Sequence, residues 1–235
     1  MSKRPVGRPR ADGRPPLSKP AVFAAAATLI ADHGYAGTSL RMIADALGAS
    51  APSLSQMFSS KQRLLVELVA HLADVSIRFH ERLEGLSLLP AVRLHKMVRE
   101  EVMAVSSANG SLMAIFYLPE LRQPEFRDAQ QARARMIGFY RDVITEGIDG
   151  GVFRNVEAYA AAEQVFQLTE TSIVALDRGA LGPAERLARE TAEFVLRGLL
   201  TDHGALAGIR QASAAVDLAM ATAVGPGGNR TASLI

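Results

Sequence analysis

Thr38-Ser39-Leu40-Arg41-Met42-Ile43-Ala44-Asp45-Ala46-Leu47-Gly48-Ala49-Ser50-Ala51-Pro52-Ser53-Leu54-Ser55-Gln56-Met57-Phe58 reads as two short helices around a glycine turn. Thr38 is an N-cap candidate for a helix over 39–47, where Leu40, Ile43, Ala44 and Leu47 recur at helical spacing. Gly48 breaks that helix, and Ser50 caps a short one over 51–58. A helix-turn-helix needs a small residue at the crossing, a glycine in the turn and buried anchors on both sides. Ala44, Gly48, Leu54 and Phe58 supply these. The outer face of the second helix then carries Ala51, Pro52, Ser53, Ser55, Gln56 and Met57. Taken alone, this pattern also suits many helical bundles.

Upstream, Ser18 and Pro20 suit a first helical turn. Phe23, Ala26, Ala27 and Ile30 fall on one face of a helix that Gly34 stops near His33. The apolar run 21–31 after a basic start resembles the front of a signal peptide. It is short and ends at Asp32-His33-Gly34 as a helix ends, so it is read as a helix. Downstream, Lys61 to about Glu84 predicts a helix roughly 36 Å long. Further helices are expected near 90–107, 111–123 (broken at Pro119), 125–148, 157–178 and 183–202, with a possible Ala-rich helix over 204–224 and a loose tail at 225–235. No period-2 alternation persists, so the expected fold class is all-α, without a sheet.

Composition agrees. Hydrophobic residues make up 49% of the 235-residue chain and aromatics only 6%, a balance that favours helices. Cysteine is absent, which excludes disulfides and thiolate chemistry and suits the cytoplasm. No apolar run approaches the ~20 residues of a membrane span. Net charge is +2 but uneven. Residues 1–19 carry Lys3, Arg4, Arg8, Arg10, Arg14 and Lys19 against Asp12 alone, a net of +5 that leaves −3 for the rest. Pro5, Pro9, Pro15, Pro16 and Pro20 keep this stretch from building a core. A basic arm that meets a polyanion, on a body that does not, fits this asymmetry.

The stretch from Ala27 to Ser50, with Leu54, Phe58, Ser60-Lys61 and Leu64, resembles the DNA-binding domain of the TetR (tetracycline-repressor-type) family over about 45 residues. The resemblance implies an N-terminal three-helix helix-turn-helix domain followed by a larger helical ligand-binding and dimerisation domain. The organisation expected is a basic arm at 1–17, a DNA-binding domain at 18–65, a regulatory body at 66–203 and an extension at 204–235. Thr38, Ser50 and Lys61 would meet phosphates. Ser53, Gln56, Ala51 and Met57 would face base edges. Two positions depart from the family pattern: Ser55 stands where an aromatic that touches the DNA backbone is usual, and Pro52 where Gly is common. Sequence preference is therefore not transferable from relatives. In the arm, Val6-Gly7-Arg8-Pro9-Arg10 resembles the Gly-Arg-Pro core of AT-hook segments, which would place Arg8 and Arg10 in a narrow minor groove. A basic tail with only non-specific attraction is the alternative.

Other chemistry finds little support. His33, His71, His80, His95 and His203 form no i, i+4 metal pair, and His80 beside Glu81 reads as a solvated helix face. No nucleophile elbow or phosphate-cradling loop is present, so neither catalysis, a metal nor a cofactor is expected. Met97, Met113, Phe116, Tyr117, Met136, Phe139, Tyr140, Phe166, Thr169 and Glu170 could line an apolar pocket, with Gln167 and His95 as further polar candidates; ordinary core is the other reading. Val165, Leu168, Leu187, Phe194 and Val195 give the helices at 157–178 and 183–202 wide apolar coverage. The resemblance implies that this pair meets its symmetry mate in a four-helix bundle, and an internal core is the alternative. The function expected is a cytoplasmic homodimeric regulator, a repressor that binds a pseudo-palindromic operator in double-stranded DNA and is released by a small apolar or amphipathic effector. Its rival is a ligand-binding helical protein whose DNA-binding domain has degenerated.

Overall fold

The computed structural model describes residues 17–107, 115, 118–177 and 183–220. Nine α-helices lie in these residues: α1 (Lys19–Gly37), α2 (Leu40–Ala46), α3 (Ala51–Met57), α4 (Lys61–Glu84), α5 (Pro90–Ser107), α6 (Arg127–Asp149), α7 (Ala158–Asp177), α8 (Ala184–Leu199) and α9 (Leu206–Ala214). The only β-type pairing among them is an isolated bridge between Phe153 and Leu200. Of the expected segment 111–123, residues 115 and 118–123 are described, and Pro119–Arg122 among them is a 3-10 turn. The C-terminal helix is shorter than expected, and residues 221–235, with the expected tail at 225–235, lie outside the described residues.

Side chains decide the helix starts. Ser18 accepts a hydrogen bond from the Ala21 amide, Ser50 from Ser53 and Ser60 from Arg63, which satisfies amides that have no partner inside the helix. Within α1 the helical path ends at Gly34, whose φ of 72° few side-chain-bearing residues adopt. Gly48, at φ 59°, makes the turn between α2 and α3, and the Ala49 amide donates back to the Ala44 carbonyl.

Two cores form. The first joins Val22, Phe23, Ala26, Ala27 and Ile30 of α1 to Ile43, Ala44, Leu54, Phe58 and the first half of α4 (Leu64, Leu65, Leu68, Val69, Leu72). It also takes in Ile115, Leu121 and Phe126, so chain far downstream of α4 completes it. The second, larger core gathers around α5, where Ala91, Val92, Leu94, Met97 and Val98 are buried, while Val102 packs in a small separate cluster with Leu187 and Ala188. A helix buried on several sides needs several partners, and α4, α6, α7, α8 and α9 all pack on α5. Its polar residues are paired: Lys96 with Glu100 at 3.0 Å, and Arg99 with both Glu100 and Glu185.

One close approach fixes how α6 turns into α7. A Cβ on Gly147 would lie 2.1 Å from Cδ2 of Phe153, and Phe153 is buried. Gly147→Ala is therefore expected to cost about 1–3 kcal/mol of stability, read by denaturant unfolding. Wild-type stability would show that the turn can shift.

Candidate nucleic-acid interface and effector pocket

The helix-turn-helix stands on the first core. Leu54 anchors α3 inward, while Pro52, Ser55 and Gln56 are exposed and Ala51, Ser53 and Met57 are half-buried. Met57 packs against the core, which turns it from the outer face expected of it. Ser50 and Ser53 share a 2.7 Å hydroxyl contact at the start of the helix.

Thr38 departs from its expected role. It is 2% exposed, and its hydroxyl donates to the Leu29 and Gly34 carbonyls. Ser39, not Thr38, caps α2, accepting from the Met42 amide. The threonine seals the kinked end of α1 because its short polar side chain can satisfy carbonyls that the kink exposes. Lys61 is likewise committed inward: its ammonium donates to the carbonyls of Tyr35 at 2.5 Å and Thr38 at 2.8 Å, and sits 4.2 Å from the Tyr35 ring centroid. Arg8 and Arg10 lie outside the described residues.

Farther down α4, the structure overturns the solvated reading of His80. The imidazole is buried, and Nε2 lies 2.8 Å from Glu101 Oε1 of α5. Ser76, one turn earlier, donates to the same carboxylate. Rings surround His80: Phe139 is stacked at 5.1 Å, and Phe79 and Tyr140 approach edge-on. Among the described residues the His80 Nδ1 has no hydrogen-bond partner. Burial first, and the Glu101 charge second, push the Tyr140 phenol well above its usual pKa. Met97, Met136, Phe139, Tyr140, Phe166 and Thr169 are all buried here, as core.

An open cavity lies beside this core, and of the described residues put forward from sequence Gln167 and Glu170 line it. It measures about 390 Å³ and is bounded by Val69, Leu118, Leu121, Arg122, Ala129, Gln130, Arg133, Gln167, Glu170 and Thr171. Arg133 donates to Glu170 at 2.7 Å, and its guanidinium carbon sits 4.6 Å from the Phe166 ring centroid. Burial raises the Glu170 pKa, and Arg133 works against that rise. Gln130 holds the preceding turn by donating to the Leu121 and Gln123 carbonyls. Sequence periodicity cannot find such a site, because its residues come from one flank of each helix and from an irregular turn. Met113, Phe116 and Tyr117 lie outside the described residues.

The sequence model described as "Bacterial regulatory proteins, tetR family" matches residues 22–68, the segment that builds the helix-turn-helix and the start of α4. The crystal structure of Mycobacterium smegmatis AmtR superposes with a TM-score of 0.72 at 30% identity, over 88% of this chain and 96% of that one. The chain belongs to the TetR family. It is a DNA-binding transcriptional regulator. The HTH-type transcriptional repressor KstR2 of Mycolicibacterium smegmatis is 21% identical over 201 residues, 83% of this chain and 97% of that protein. The structure of AibR in complex with isovaleryl coenzyme A and operator DNA shares the fold, with a TM-score of 0.63 at 19% identity over 75% of this chain and 96% of that one.

Within this TetR-family chain, the expected dimer residues divide. Val165, Leu187 and Val195 are buried within the protomer, which leaves little of each side chain at its surface. Leu168 is half-buried, whereas Phe194 is 68% exposed on α8 and Tyr159 52% exposed on α7. The helices turn their most apolar stripe toward α5, and sequence alone could not tell which stripe that would be.

His95, the other polar candidate, is also internal. Its Nδ1 lies 2.8 Å from the Ser213 hydroxyl and so ties α9 to α5. Burial lowers its pKa to about 4; Glu193 opposes this, while Arg99, Arg210 and Lys96 reinforce it. A folded-state value below the unfolded ~6.5 means that the neutral ring favours folding. Stability is then full above about pH 6.5 and falls as pH drops toward 4, by up to about 3 kcal/mol. Denaturant titrations from pH 7 to 4 check this, and His95→Gln should flatten the profile. An unchanged slope in that variant would assign the acid sensitivity elsewhere. Among the described residues no cluster of His, Asp and Glu would hold a metal, and no helix is long and apolar enough to cross a membrane.

Proposed function

We propose that this regulator acts as a repressor: a homodimer holds a pseudo-palindromic operator through two copies of α3, and a small effector in the body releases it. The DNA-binding unit is assigned to residues 18–65 and the regulatory body to 66–203. The observation that carries the reading is the exposed face of Pro52, Ser55 and Gln56 on a helix whose opposite side is fixed in a dry core. A recognition helix must be rigid behind and open in front. Ser39 and Arg41, both exposed, flank that face from α2 and are suited to phosphates. Lys61 serves as the post that fixes α1 to α4, and the arm with Arg8 and Arg10 adds charge. AibR, a neighbour in fold, is solved with both an acyl-thioester ligand and operator DNA, which supports coupling between effector and operator.

The coupling route runs through α4. Its first half belongs to the DNA-binding core, and its second half is bound to α5 through Ser76, His80 and Glu101. An effector that prefers a shifted α4 would move both α3 helices out of register with adjacent grooves. The test is fluorescence anisotropy with DNA from upstream of the protein's own gene, at two salt concentrations and with unrelated competitor. Binding that survives the competitor and weakens with salt is expected. Binding that competitor abolishes at both salts would favour the rival, a helical ligand-binding protein with a degenerate DNA-binding domain.

A further inference from the structure

The cavity bounded by α4, the Pro119–Arg122 turn, α6 and α7 has a chemistry that selects its ligand. Val69, Leu118, Leu121 and Ala129 make its apolar wall. Its charged groups are Arg122, Arg133 and Glu170. Arg133 meets the buried Glu170 through a single hydrogen bond from Nη1, and the other donors of that guanidinium have no partner among the described residues. Arg122 is exposed and has no ion-pair partner among the described residues. Two guanidiniums therefore face one carboxylate, and the cavity is left with net positive charge.

We propose that the effector is an amphipathic anion, an alkyl or similarly apolar body ending in a carboxylate or phosphate, gripped by Arg122 and Arg133 with its tail against Val69, Leu118, Leu121 and Ala129. This rests on the effector-release reading above and names the class of ligand. Guanidinium forks match carboxylate and phosphate oxygens with two parallel hydrogen bonds. A cationic ligand would have to evict Arg133 from both Glu170 and the Phe166 ring, and Arg122 would repel it. A neutral ligand can accept a hydrogen bond from an arginine but forms no ion pair with it, so it is held less tightly. At 390 Å³ the cavity lies at the small end of the ~300–1,000 Å³ range of ligand sites, so a long chain or a bulky headgroup must protrude.

The location also gives the anion leverage. Leu118, Leu121 and Arg122 belong to the turn that lines the cavity, and Leu121 belongs equally to the DNA-binding core. Between them, Glu120 acts on Tyr35 of α1, raising its phenol pKa second only to burial. Tyr35 in turn supplies a carbonyl and a ring to Lys61. On the far wall Val69 sits on α4, one residue beyond Leu68 of the same core. A ligand that pulls on Arg122 therefore pulls on a turn already packed against the DNA-binding unit.

The test is calorimetric titration of the full-length protein with four probes that carry ten-carbon chains, below their micellar or solubility limits: decanoate, decyl phosphate, decyltrimethylammonium and decanol. Both anions should bind, and the cation and the alcohol should bind at least about tenfold more weakly. Whichever anion is tighter identifies the headgroup. Arg122→Gln, a surface change, should weaken the anions about five- to tenfold with an unchanged melting temperature. Ammonium or alcohol binding as tight as the anions, no binding by either anion, or an unaffected Arg122→Gln variant would overturn the proposal. Operator binding is read separately by anisotropy. Loss there with intact anion binding would count against the regulator reading alone, and a DNA-bound protein indifferent to the anions would count against this proposal alone.

Discussion

The double variant Ser55→Glu/Gln56→Glu should lose at least about a hundredfold in operator affinity while melting within a degree or two of wild type. Both side chains are exposed on α3, and neither makes a hydrogen bond or ion pair with the described residues. Substitutions at such positions usually change stability by less than about 0.5 kcal/mol. On DNA, two carboxylates would enter a groove walled by phosphates, and each badly mismatched contact costs about 1–3 kcal/mol. Competition anisotropy against the parent operator measures the loss, and scanning calorimetry the stability. Retained affinity would mean that another surface reads the DNA.

Glu101→Ala should be the most destabilising polar substitution in the body, at about 3 kcal/mol. The carboxylate is the shared partner of Ser76 and His80, and all three residues are buried. Its removal strands two buried polar groups of α4, each costing about 1–3 kcal/mol, and leaves a void beside them. For a chain of this size the midpoint should fall by roughly 6–12 °C. Glu101→Gln keeps an acceptor and should cost much less. If the two variants melt together, the cluster is not what joins α4 to α5. Wild-type operator affinity in folded Glu101→Gln with loss of effector response would assign the cluster to coupling.

What could be read from sequence follows physical range. The helix-turn-helix was legible because its signals are local: Ser18 and Ser50 as caps, Gly34 and Gly48 at positive φ, and apolar residues at helical spacing. The helices expected near 90–107, 125–148, 157–178 and 183–202 were legible for the same reason, to within a few residues, whereas those over 111–123 and 204–224 were not. Where two residues compete for one role, local signals fail. Thr38 and Ser39 are both competent caps, and only the kink at Gly34, which offers carbonyls to Thr38, decides between them. His80 sits in a buried stripe with Leu72, Ala73, Ser76, Phe79 and Leu83, and a polar residue in that register was the available signal for a buried network. The partner, Glu101, lies 21 residues away, beyond any periodicity. The same limit hid the cavity, where Val69, Arg122, Arg133 and Glu170 converge only through tertiary packing.

Two α3 helices, related by two-fold symmetry, should read one stretch of DNA. Hydroxyl-radical footprinting of the complex with DNA from upstream of its own gene tests this most directly. Two protected half-sites with inverted sequence are expected, lying on one face of the duplex with centres one helical turn or a multiple apart, about 34 Å per turn. The Ser55→Glu/Gln56→Glu variant should erase both together. A single protected patch, or continuous protection without half-site symmetry, would contradict it.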